Sequence, residues 1–87
     1  MQNYPNPFNP LTSIEYSVPA ASYVKISIYN ILGEVVDIPV NNYSMAGQYK
    51  ISWNGTNRAS GIYFYELTAK TVAGESFKQV KKLVLLK

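Results

Sequence analysis

The side chains that could move protons are the five carboxylates Glu15, Glu34, Asp37, Glu66 and Glu75 and the eight lysines and arginines, because the sequence contains no histidine and no cysteine. Their absence removes thiolate chemistry, disulfide staples and the usual zinc ligand sets. General acid/base catalysis would need two of the carboxylates to meet in a cleft that separates their pKa values. Glu15 and Glu66 instead alternate with apolar neighbours, as solvent-side positions of strands do, and Glu34, Asp37 and Glu75 fall at turns or strand ends. Solvated surface charge is the reading they support. Serine is plentiful, but without histidine only a Ser–Lys pair could take the hydroxyl proton, and no spacing selects one. No catalytic residue is assigned, and the chain is expected not to be an enzyme.

Binding chemistry is also thinly represented. Asn54, Asn57 and the carbonyls of the Gly55 to Ser60 segment could contribute to a calcium site only if a carboxylate approached them. Asn-Gly turn chemistry explains the same residues, so no metal and no cofactor are expected. Eight tyrosines and one tryptophan raise the alternative of an accessory carbohydrate-binding domain. Tyr49 and Trp53 share parity with Ile51 and belong to a core, which leaves Tyr29, Tyr43 and one of Tyr63 or Phe64 as candidates for exposed rings. The formal charge is +3, and Lys78, Lys81, Lys82 and Lys87 crowd the last ten residues. With Arg58 as the only arginine, this is too short a basic track to predict a nucleic-acid partner. Lysines that discourage strand-to-strand aggregation account for it equally well.

The elements that would position these residues are strands. Eighty-seven residues support one domain with a modest core. No stretch approaches the roughly 18 consecutive apolar residues of a membrane helix, and Met1 to Tyr4 lack the features of a signal peptide, so an export signal is expected on a parent chain. Prolines 5, 7 and 10 predict an extended lead-in, residues 1–11. Ile14, Tyr16 and Val18 alternate with polar residues, as do Val24, Ile26 and Ile28, and Pro19 to Ser22 would join the two strands as a hairpin. Gly33 supplies a turn before Val35, Val36 and Ile38, and Pro39 ends that strand or marks an edge. The polar run Asn41 to Ser44 separates it from a strand through Tyr49, Ile51 and Trp53, which Gly47 introduces. Asn54-Gly55 is a strong turn signal, and the segment from Asn54 to Gly61 is long enough to cross between sheets. After Gly61, Tyr63, Tyr65 and Leu67 are expected to point inward. In the last segment Phe77, Leu83 and Leu85 share one parity and Val80, Val84 and Leu86 the other, which predicts a bulge near Gln79 or burial on both faces. The fold class is all-β: an immunoglobulin-like antiparallel β-sandwich of about seven strands over residues 12–87. Its expected core is Ile14, Tyr16, Val24, Ile26, Ile28, Val36, Tyr49, Ile51, Trp53, Tyr65 and Leu67. An apolar last strand suits the final module of a longer protein.

A set of blocks in fixed order is then recognisable. These are Tyr4-Pro5-Asn6-Pro7-Phe8-Asn9-Pro10 with Thr12-Ser13-Ile14; Tyr29-Asn30-Ile31-Leu32-Gly33-Glu34-Val35-Val36; Ala46-Gly47-Gln48-Tyr49 leading to Trp53-Asn54-Gly55; Ser60-Gly61-Ile62-Tyr63-Phe64-Tyr65; and Lys81-Lys82-Leu83-Val84-Leu85-Leu86-Lys87. Over nearly its whole length the chain resembles the type A C-terminal sorting domain of cargo proteins exported by the type IX secretion system. The resemblance implies a non-enzymatic address label, covalently part of a larger cargo. Such a label is recognised in the periplasm by translocon or sortase-like components and carried to the cell surface or beyond, where it is commonly removed or exchanged for a surface anchor. It places recognition at Lys81, Lys82, Leu83, Val84, Leu85 and Lys87, and gives Gly33, Gly47 and Gly61 a role in backbone geometry beside the Asn54-Gly55 turn. Docking by strand addition, or an edge-strand homodimer, would use the same last strand. Phe8-Asn9-Pro10, Trp53-Asn54-Gly55 and Ser60 to Tyr65 are also similar to the immunoglobulin-like domain of the flagellar hook-capping protein, a structural module.

Overall fold

Alternating apolar and polar residues carry six strands through residues 11–85, the part of the chain that the computed structural model describes. They are β1 (Leu11–Val18), β2 (Ser22–Tyr29), β3 (Val35–Ser44), β4 (Gly47–Asn54), β5 (Gly61–Thr71) and β6 (Ser76–Leu85). β1 and β4 form a two-stranded antiparallel sheet, and the other four form a sheet in the order β3-β2-β5-β6. This is the arrangement of the B and E strands facing the C′, C, F and G strands of an immunoglobulin-type sandwich. The expected fold class therefore holds, with six strands among the described residues in place of about seven. The proline-rich lead-in, Leu86 and Lys87 lie outside the described residues.

Two local expectations are corrected by strand pairing. β1 and β2 do not form a hairpin: β1 pairs with β4 from Leu11↔Asn54 to Val18↔Gly47, while both edges of β2 are taken by β3 and β5. The Pro19–Ala21 link is a corner between sheets, closed where the buried Ser22 hydroxyl donates to the Ala20 carbonyl at 2.6 Å. Asn41 to Ser44 is not a connection but the second half of β3, with Ser44 opposite Ser22. An edge strand tolerates polar residues on its solvent face, so composition alone hides it. Pro39 does mark an edge, as its missing donor requires. The crossing between sheets over the segment from Asn54 to Gly61 is as expected.

The bulge also lies elsewhere. β5 and β6 stay in unbroken register from Gly61↔Leu85 to Lys70↔Ser76, whereas β2 and β3 slip between Ile26 and Ile28 and again between Ile28 and Tyr29. Nor is β6 buried on both faces: Val80 is 56% exposed and Val84 48%. The mixed parity of this strand reflects its place at the edge of the sheet, where only its Leu83–Leu85 end is covered by the opposite layer.

Between the layers, Ile14, Tyr16, Val24, Ile26, Ile28, Trp53, Tyr63, Tyr65 and Leu67 are buried as their parity predicts, with Val36, Tyr49 and Ile51 packed partly buried against them. Val18, Val40, Ala69, Leu83 and Leu85 complete the cluster. Tyr16 stacks on Tyr49 within the small sheet, with centroids 5.3 Å apart. Trp53 meets Tyr63 edge-on at 5.6 Å and so ties the sheets together.

Candidate recognition site at the last strand

The two edges of the larger sheet differ. β3 is interrupted by two register shifts and by Pro39, the usual devices that keep an edge from pairing with another chain. β6 has neither; its ten residues run in unbroken register with β5, and among the described residues it has no partner on its other side. Its guards are charges. Lys78, Lys81 and Lys82 are exposed.

The predicted recognition residues divide by burial: Lys81 shares the parity of Leu83 and Leu85, yet it is exposed because the opposite layer does not cover it. Leu83 and Leu85 are 8% and 2% exposed and belong to the core, while Lys81, Lys82 and Val84 face solvent. Lys87 lies outside the described residues. Leu85 packs against the backbone of Gly55, close enough that a Cβ there would lie 2.7 Å from Leu85 Cδ2. Leu83 stands opposite Tyr63, whose hydroxyl donates to the Ala59 carbonyl at 2.7 Å. The end of β6 is thus seated on the 55–60 crossover loop.

That loop is itself tied down. Asn54 Oδ1 accepts the Thr56 amide at 2.9 Å and its hydroxyl as well, and the Arg58 amide donates to the Gly55 carbonyl at 2.9 Å. The Arg58 guanidinium donates to the Val36 carbonyl, and Trp53 Nε1 donates to Asp37 Oδ2 at 2.8 Å. Asn54, Gly55 and Gly61 are therefore brought together with Leu83 and Leu85. The Asn30–Glu34 turn flanks the same end, beside Ala59 to Ile62. In that turn Asn30 Oδ1 accepts the amides of Leu32 and Glu34 at 2.9 and 3.0 Å, and Gly33 adopts φ +85°, which a side chain would strain. Gly47 stands apart, at the far end of the small sheet.

The outer face of the larger sheet carries residues that motif reading passed over. Register aligns Tyr43, Tyr23, Lys70 and Ser76 in one row and Asn41, Lys25, Thr68 and Lys78 in the next. Beyond them Glu66 accepts the Tyr29 hydroxyl at 3.0 Å and pairs with Lys78 at 3.4 Å. The hydrogen bond to Glu66, with burial and the carboxylate charge behind it, raises the Tyr29 pKa above its ordinary value. Strand parity marks Tyr23 and Lys25 as outward, opposite the buried Val24 and Ile26, but only the strand order sets them beside Lys70 and Lys78.

Fold and site together define a small immunoglobulin-like module whose last described strand lies at a sheet edge guarded by lysines and paired with no further strand among the described residues. The model of the secretion system C-terminal sorting domain matches residues 2–85, nearly all of the sequence, and the chain belongs to that family. Domains of this family are the C-terminal sorting signals of cargo proteins exported by type IX secretion, across the outer membrane toward the cell surface or extracellular space. No curated protein and no solved structure matches the chain.

Proposed function

We propose that the sorting signal is read as a folded unit in the periplasm, through the edge of β6 that no strand among the described residues pairs with, and that the domain itself does no catalysis. The observation that carries this reading is the asymmetry of the sheet: β6 offers an uninterrupted edge where β3 is bulged and proline-blocked. A translocon or sortase-like component adds a strand there, main-chain hydrogen bonds supplying affinity and Lys81, Lys82 and Val84 supplying contacts of charge and shape. Leu83 and Leu85 act by holding the strand in place from inside the core. Removal of the domain, or its exchange for a surface anchor, follows export.

Burial of Leu83 and Leu85 makes deletion of the last strand a poor test, since the fold would fail with it. The test is surface export of a periplasm-directed fluorescent reporter fused to residues 1–87, beside the Lys81→Glu/Lys82→Glu/Val84→Asp variant. These three side chains are exposed, so the variant is expected to melt with the parent but to stay in the periplasm. Parental export by the folded variant would overturn the reading. The same edge accounts for a homodimer if one forms, and the variant would then sediment as a monomer.

A further inference from the structure

We propose that the outer face of the four-stranded sheet binds an acidic polysaccharide, with Lys25 and Lys70 holding its anionic groups around the rings of Tyr23 and Tyr43 and Lys78 at the margin in its pair with Glu66. The proposal is independent of how the β6 edge is read. Tyr23 and Tyr43 are cross-strand neighbours and half exposed, at 50% and 54%. The Tyr23 hydroxyl donates to Asn41 Oδ1 at 2.6 Å, which fixes one ring before any ligand arrives. Lys70 follows Tyr23 directly across the sheet, and Lys25 and Lys78 flank Thr68 in the adjacent row, about 10 Å apart at ordinary strand spacing. A shallow groove runs over Tyr23, Lys25, Thr68, Lys70 and Lys78.

Neither row contains a carboxylate; Glu66, in the next row, accepts the Tyr29 hydroxyl and pairs with Lys78, which leaves Lys25 and Lys70 with no ion pair among the described residues. The face is therefore cationic and complementary to an anion. Backbone groups of β2 and β5, in the middle of the sheet, are used in ladders on both sides, so a ligand here is met by rings, ammonium groups and hydroxyls instead of main-chain hydrogen bonds. That set suits a sugar: a pyranose face on a fixed ring, carboxylates on lysines, and hydroxyls on Thr68 and Ser76. An acidic peptide would satisfy the lysines but leave the rings unused.

The test titrates the 87-residue chain with polygalacturonate, with neutral dextran and poly-glutamate in parallel. Polygalacturonate is expected to bind saturably and more weakly as salt rises, dextran not to bind, and poly-glutamate to bind several-fold more weakly. Tyr23→Ala and Lys70→Ala should each weaken polygalacturonate binding about fivefold, while Lys50→Ala, on the other sheet, should leave it unchanged. Lys70 is exposed, so its variant remains informative if Tyr23→Ala disturbs the fold. Absence of polygalacturonate binding, or equal binding of poly-glutamate with no effect of Tyr23→Ala, would overturn the proposal.

Discussion

Gly55 and Leu85 are in contact across the sandwich: a methyl group built on Gly55 would lie 2.7 and 2.8 Å from the two Leu85 Cδ atoms and 3.3 Å from Cγ. The Asn-Gly pair is therefore more than a turn. Its glycine makes room for Leu85, so the crossover loop and the end of β6 pack directly on one another.

The contact sets a quantitative expectation. Gly55→Ala should destabilise the domain by about 1–3 kcal/mol through overpacking, and Leu85→Ala by about 2–5 kcal/mol. In the double variant the new methyl occupies vacated space, so the two costs should fall short of their sum. Urea denaturation of the four proteins measures the coupling; simple additivity would mean that the residues do not press on one another.

Asp37 owes its position to the β2–β3 bulge. The two register shifts put extra residues into β3, and Asp37 there accepts the buried Trp53 indole at 2.8 Å while also accepting the Ile38 amide. Asp37→Ala leaves the indole N–H unpaired and is expected to cost about 1–3 kcal/mol. The change should be visible in both the denaturation midpoint and the tryptophan emission of the native state. An Asp37→Ala midpoint equal to the parent's would show that water replaces the carboxylate at no cost.

Alkaline pH should unfold the domain through its tyrosines. Burial raises the pKa of Tyr16 and of Tyr65 above 10.0, with the neighbouring Tyr49 adding to the shift of Tyr16. The folded state thus keeps protons that the unfolded state gives up. Stability from these groups is fully present below pH 10 and declines as pH rises from there through the folded values. Tyr16→Phe and Tyr65→Phe remove the titrating groups, and a melting temperature measured against pH should fall less steeply above pH 10 in each. An unchanged slope would exclude them as the cause.

The Lys78–Glu66 pair, by contrast, should matter little to stability. Its nitrogen and oxygen are 3.4 Å apart with the lysine largely exposed, and Lys78→Ala is expected to shift the free energy of unfolding by less than about 0.5 kcal/mol. A larger loss would mean that Glu66 depends on Lys78 to hold Tyr29.

Strand identity and facing were legible along the chain because a strand has a period of two and a sandwich buries one face. Ile14, Tyr16, Val24, Ile26, Ile28, Trp53, Tyr65 and Leu67 all lie where alternation puts them. The ordered blocks from Tyr4 to Lys87 were enough to indicate the family. Pairing was not legible. Nothing local distinguishes a β1–β2 hairpin from a corner between sheets, because the choice depends on β3, β4 and β5 competing for the same edges. Polar Asn41 to Ser44 concealed half of an edge strand, and the bulge expected at Gln79 belongs to β3 because that strand, not β6, accommodates extra residues. The recognition block was located by its residues, yet only the tertiary structure divided it. Leu83 and Leu85 turn inward against Gly55 and Tyr63, and Lys81, Lys82 and Val84 stay at the surface. That division follows from how far the smaller sheet extends over β6, a property of the packed layers that no single strand encodes.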